Sequence, residues 1–311
     1  MQLKTAVRRK DTLWVPSWGT PCGIAEYTGH LAEHLPRVRV SAAPPPPTAA
    51  RLVHLQHEYG LFRGQDVAGV FDPLLDSDVP LLVTQHTVHS RGEPWEQRVA
   101  GLVSHTAAGA EVLRERCPDV PVHHIPHGCP TWFPPRKRKR GRVLAAFGFL
   151  EWRKGFWAIL DVLRALPDTS LVIYSHARNP ARAEEWLRAS EGLPVRWVSD
   201  FLPSEESARR IAAEADAMIY WYRDIDHHSA SGAVRVGLST GVPIVASTSR
   251  WFDELRDAVY QPADLVEGVR RILDDTELQE RVSAGARAYC EENSWTATAE
   301  RHRALWRSVA P

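Results

Sequence analysis

The chain has 311 residues, 44% hydrophobic and 24% charged, the balance of a folded globular protein that needs no staples to hold a core. Lys+Arg and Asp+Glu both number 38, so no net charge draws the whole molecule to nucleic acid or to an anionic membrane. The four cysteines, Cys22, Cys117, Cys129 and Cys290, show neither paired metal-ligand spacing nor a disulfide framework, which suits a reducing cytoplasm.

The basic stretch MQLKTAVRRKDTLWV runs into a strand-length apolar segment rather than a signal-peptide core, and no segment has the length of a membrane span. Apolar runs predict strands at Leu13–Pro16, Leu52–Leu55, Pro80–Thr84, Gly101–Ser104 and Val122–Ile125. Helical patterns alternate with them at Ile24–Leu35, around Asp66–Leu75 and at Ala108–Arg116, and APPPPTAA, Ala43–Ala50, reads as a proline-rich loop. Such alternation builds a parallel sheet covered by helices. TWFPPRKRKRGR then interrupts the pattern with prolines and a basic run, Arg136–Arg140, read as an exposed linker rather than a nucleic-acid site.

The alternation restarts with strands at Val143–Phe147, Ser170–Tyr174, Val195–Val198, Ala217–Tyr220 and Ile244–Ala246. Helices are expected at Gly155–Leu166, near Arg182–Ser190, at Ser204–Ala213 and over the segment that precedes Ile244. From Pro262 to about Val309 the chain reads as helical, with a break at Asn293 and Ser294. The expected boundaries are therefore 1–130 for a first Rossmann-like domain, 131–141 for the linker, 142–294 for a second such domain and 295–311 for a terminal helix. Two doubly wound units turn their strand carboxyl ends toward a shared cleft, and ligands bind outside those ends.

Several segments just after predicted strands carry chemistry. Gly19 and Gly23 precede the first helix, where a backbone without side chains lets a phosphate or its neighbouring sugar approach. His57, Glu58 and His86 emerge at one edge of the first sheet, where imidazoles exchange protons and a carboxylate orients an acceptor hydroxyl. The HHIPHG run leaves a strand for a Pro-Gly turn instead of sharing a helix face, so it is not read as a metal site. In the second unit Gly148 and Lys154-Gly155 follow a strand, and the lysine can place a point charge on a phosphate. HHSASGAVRVGLSTGVPIVAS offers small residues at a helix start, suited either to an anion on unpaired N–H groups or to close packing on the sheet. Of the tryptophans, Trp14, Trp18, Trp95, Trp152, Trp221 and Trp251 lie near strand ends or loops, where some stack on a sugar or base and most pack.

Taken in order, GIAEYTGHLAEHL, QHEYGLF, TQHTV, IPHG, FGFLEWRKG, ASGAVRVGLSTGVPIVAS and SWTATAERHRALW resemble the retaining glycosyltransferases of family four, over nearly the whole chain. The resemblance implies the GT-B fold, with the terminal helix returning to the N-terminal domain. It also implies a nucleotide-diphosphate sugar of the UDP or GDP type as co-substrate, held mainly by the C-terminal domain, with the acceptor on the N-terminal domain and neither cofactor nor metal. Matched by position, the glycine loop falls on Gly19 and Gly23, the histidine that contacts the donor sugar on His86, and the phosphate-binding lysine on Lys154. The small-residue helix start falls on Ser231, Gly232 and Ala233, which answers the ambiguity of that segment in favour of the donor.

Two departures from the family pattern stand out. Phe149 stands where many members have an arginine, and His228 and Val236 stand where many have two glutamates that contact sugar and ribose hydroxyls. Asp224, Asp226 and Arg223 precede the motif and are candidates to replace the lost carboxylate. The preferred expectation is sugar transfer to an acceptor hydroxyl with retention, in the cytoplasm. Its rivals are a degenerate protein that binds a nucleotide sugar without turnover, and glycosylation of a modified base in DNA. The first 130 residues hold 12 Lys+Arg against 13 Asp+Glu, which counts against DNA. A glycan, a lipid-linked glycan or a small metabolite are the other acceptor classes.

Overall fold

The computed structural model describes residues 9–135 and 141–311, so the basic run at 136–140 and the first eight residues of the N-terminal stretch lie outside the described residues. In chain order the elements are β1 (Lys10–Trp14), α1 (Gly23–Glu33), β2 (Arg39–Ser41), β3 (Ala50–His57), α2 (Val67–Leu75), β4 (Leu81–Gln85), β5 (Thr87–Val88), β6 (Gly101–Ser104), α3 (Ala107–Arg116) and β7 (Val122–His124). There follow β8 (Val143–Phe147), α4 (Phe156–Ala165), β9 (Ser170–Tyr174), α5 (Pro180–Ala189), β10 (Val195–Val198), α6 (Ser204–Glu214), β11 (Ala217–Tyr220) and β12 (His228–Ser229). The series ends with α7 (Gly232–Ser239), β13 (Ile244–Ala246), α8 (Leu265–Asp274), α9 (Thr276–Glu292) and α10 (Trp295–Val309).

The described chain divides into two compact units. Of the described residues, unit 1 comprises 9–128, 226–230 and 295–311, and unit 2 comprises 129–135, 141–225 and 231–294. Unit 1 holds a six-stranded parallel sheet in the order β2-β1-β3-β4-β6-β7. Its central strands are buried on both faces, which is why they read as near-continuous apolar runs. Along β3 the pleat sends Leu52 to the face covered by α1 and α10, with Leu31, Trp295 and Trp306, while Val53 and Leu55 join Phe62, Phe71 and Trp95 on the other. A separate two-stranded antiparallel ribbon pairs β12 with β5, His228 opposite Val88 and Ser229 opposite Thr87.

Unit 2 holds a five-stranded parallel sheet ordered β10-β9-β8-β11-β13. Leu144 and Ala146 of β8 face α4, α5 and α8, whereas Ala145 faces α6, α7 and α9. The long helical stretch expected from Pro262 is interrupted earlier than Asn293: the Asp275 carboxylate accepts from Leu278 N and starts α9 afresh. Aspartate competes for backbone donors in this way whenever it stands ahead of a helix-forming run. Beyond the predicted strands the structure adds β2, β5 and β12, of two or three residues each.

Candidate functional site

In unit 1 the loop after β1 carries Gly19 at φ +83° and delivers Gly23 as the first residue of α1. A Cβ at either glycine would meet nothing within 4 Å, so both expose backbone to open space. At the carboxyl end of β4, His86 is buried and its Nε2 lies 3.0 Å from Gln56 Oε1, an arrangement in which the imidazole donates to the amide oxygen. Tyr27 and His105 pack edge-on against the ring at 4.9 and 4.8 Å, and His127 lies beyond them against the same tyrosine. Burial, reinforced by the neighbouring imidazoles, holds His86 well below the ordinary histidine range, so it is neutral near pH 7. It serves as a hydrogen-bonding group rather than a cation.

The structure does not bring His57 to this cluster. Strand alternation turns it to the opposite face of the sheet, where it stacks on Phe62 at 5.2 Å and touches Tyr59, Phe71 and Trp95. Burial lowers its pKa to about 3. His57 is therefore a core residue, and its expected role in proton exchange is withdrawn. Glu58 is half-buried at the strand end, and its Oε2 accepts from Thr87 Oγ1 at 2.6 Å, which ties the carboxylate to β5. Gln56, His105 and His127 surround His86 without having been expected there. Reading LVHLQH with a period of two would have paired Gln56 with His54 on the His86 face and sent His57 away.

Unit 2 gathers Gly148, Lys154, Tyr222, Ser231, Gly232 and Ala233. Gly148 adopts φ +128°, and a Cβ there would lie 2.6 Å from Lys154 Nζ and 3.1 Å from Ala233 Cβ, so the position admits only glycine. Lys154 is 7% exposed and its Nζ stands 5.6 Å from the Tyr222 ring centroid. Among the described residues no carboxylate comes within ion-pair distance of it. Burial is the first cause, and the charges of Arg153 and Arg178 the lesser ones, that pull its pKa down to about 7. Ser231 is the N-cap of α7, but its hydroxyl meets Tyr222 Oη at 3.1 Å and does not cap the helix. Among the described residues the first-turn N–H groups of α7 thus have no side-chain acceptor, and they lie beside a buried cation that is in no ion pair, the Glu151 charge acting on it only from a distance.

Phe149, at the family's arginine position, lies under the Arg178 guanidinium at 3.6 Å and stacks on Phe201 at 5.8 Å. A guanidinium thus stands over the ring that replaces one, and its charge reaches Lys154. Val236 is buried on α7. Asp224 Oδ1 accepts from Ser249 Oγ and Arg250 N at 2.8 and 3.1 Å, at the turn Arg250–Leu255. Asp226 and His228 belong to unit 1, beside β5. A cavity of about 280 Å³ in unit 2 is lined by Trp152, Trp157, Trp221, Tyr222 and Arg223. Trp14, Trp95 and Trp251, by contrast, are buried in the cores.

No protein-family model matches the chain, and no curated protein matches it. Solved structures do. Sucrose-phosphate synthase from Thermosynechococcus elongatus superposes with a TM-score of 0.74 at 16% identity, over 97% of this chain and 99% of that one. AviGT4, a glycosyltransferase involved in avilamycin A biosynthesis, gives 0.65 at 16% identity over 97% and 98%. TarM gives 0.63 at 10% identity over 91% of this chain and 58% of the other. The chain has the GT-B fold. Units 1 and 2 are its two Rossmann-like halves, and Gly19, Gly23, His86, Lys154 and the start of α7 all follow carboxyl ends of strands in them, where open α/β sheets bind ligands.

Proposed function

We propose that this chain is a retaining glycosyltransferase that takes a sugar from a nucleotide-diphosphate donor of the UDP or GDP type and needs no metal for the transfer. The observation that carries the reading is Lys154, a buried cation with no carboxylate in ion-pair reach among the described residues, next to Gly148 and the uncapped start of α7. A diphosphate supplies the anion that both lack. Its binding raises the lysine pKa, so that the ammonium and the α7 N–H groups stabilise the negative charge on the departing diphosphate.

In the transfer the bond between the anomeric carbon and the phosphate oxygen breaks, and a bond from that carbon to the acceptor oxygen forms on the same face. The acceptor proton passes to the departing phosphate oxygen. Neutral His86, held by Gln56, hydrogen-bonds the donor sugar, and Gly19 and Gly23 give it room. Arg178 takes the place of the guanidinium missing at Phe149. The acceptor belongs to unit 1, with Glu58 orienting its hydroxyl, and the transfer takes place in the cytoplasm.

The test is a calorimetric and hydrolysis screen of UDP-, GDP-, ADP- and TDP-sugars on the wild type and Lys154→Ala. One donor is expected to bind, to release its sugar slowly, and to lose both properties in the variant. The apolar, buried Val236 at the position of a family glutamate favours one second reading, a protein that binds a nucleotide sugar without turnover. Binding that depends on Lys154, with no hydrolysis or transfer to any member of a broad acceptor panel, would establish that reading. Absence of binding at millimolar donor would sink both.

A further inference from the structure

The five residues Asp226–Ala230 belong to unit 1 although unit 2 supplies the chain on either side of them. They are held there by the β5–β12 ribbon, by Ser229 Oγ donating to the His86 carbonyl at 2.8 Å, and by α3 packed beneath β12. The register that sets His228 opposite Val88 puts the next pair, His227 and His89, across from one another as the strands separate. Their rings meet with centroids 5.0 Å apart. Asp226 Oδ1 lies 3.4 Å from His227 Nδ1. One ligand atom from each of His89, Asp226 and His227 lies within 4.8 Å of the others.

We propose that His89, Asp226 and His227 form a binding site for a late first-row divalent metal ion such as Zn²⁺. Two imidazoles and one carboxylate are the donor set that suits zinc and its neighbours, whereas magnesium and calcium prefer all-oxygen sites. Metal–ligand bonds of about 2.0–2.2 Å require donor atoms somewhat closer together than 4.8 Å. The closure falls to Asp226, whose side chain is 95% exposed, while the imidazoles stay on a built frame. The His89 carbonyl accepts from Arg116 Nη1, and its ring lies 4.7 Å from that of Tyr59. Three protein ligands leave a position for water or an incoming donor group. The ion would fasten the 226–230 segment to β5, and the site stands independently of the transfer chemistry proposed above.

The test uses the full chain without a histidine tag, stripped with a chelator, titrated with Zn²⁺ by calorimetry and with Co²⁺ by visible absorption. Saturable binding of one equivalent is expected, with no comparable response to Mg²⁺. His89→Ala and His227→Ala should each weaken it by at least roughly tenfold, and His34→Ala should leave it unchanged. Asp226→Ala alters only an exposed side chain, so it tests the site even where a histidine variant folds poorly, and it too should weaken binding. No saturable Zn²⁺ uptake, or uptake of undiminished affinity in all three variants, would overturn the proposal.

Discussion

A buried ammonium with no carboxylate beside it lowers stability for as long as it keeps its proton. Lys154 titrates near 7 in the folded chain and near 10.4 unfolded, so between those values the unfolded chain binds the extra proton. Stability therefore rises as pH climbs from 7 to 10, and the penalty is complete below 7. Lys154→Met should raise stability at pH 7 by about 2 kcal/mol or more, with the gain shrinking toward zero at pH 10, as read by urea unfolding at both pH values. A gain independent of pH would show that the amine is not its cause. The histidines differ in kind: His57→Phe should keep turnover within about threefold and stability within about 1.5 kcal/mol, since it swaps one flat ring for another in an aromatic core. His86→Ala should abolish transfer. The placement of Lys154 and His86 just after strands was legible because each follows an apolar run. Arg178 was not, because nothing in its own segment shows that its guanidinium lies over Phe149.

Among the elements, α4 depends on the left-handed residue ahead of it. Gly155 adopts φ +67°, and a Cβ there would lie 1.8 Å from the Trp221 carbonyl oxygen, at the end of β11. Gly155→Ala should cost more than about 2 kcal/mol, by backbone strain together with displacement of β11. Gly192→Ala, with φ +74° and nothing within 4 Å, should cost about 1 kcal/mol through strain alone. Chemical denaturation of the two variants separates clash from strain, and equal costs would refute the steric part. Most strands were legible because a parallel strand buried on both faces reads as an apolar run. β5 and β12 were not, since two residues carry no periodicity and their pairing spans 140 positions in the register of His228 with Val88. The split between α8 and α9 was missed because Asp275 was read as an interior helical residue rather than a cap.

At the scale of the whole molecule, the units differ in their response to acid. Unit 1 buries His54, His57, His86 and His302, all held below the ordinary histidine range by burial, whereas no histidine is buried among the described residues of unit 2. His54 shows the reason: its Nδ1 accepts from Trp306 Nε1 at 2.8 Å, a bond that a second proton would break. Neutral buried imidazoles give stability that is complete above about 6.5 and declines as pH falls toward their folded values. Hydrogen exchange at pH 5 is expected to open unit 1 before unit 2, and the reverse order would contradict this account. The same unit is assembled from three stretches of chain, the last of which, α10, is wedged against Tyr27 and His54 through Trp295, His302 and Trp306. During synthesis its sheet must wait for some 166 further residues, from Cys129 to Ser294, before that helix exists. At ribosomal speeds the delay is roughly 10 to 30 s. Unit 2, closed once Ser294 has emerged, is the half able to fold first.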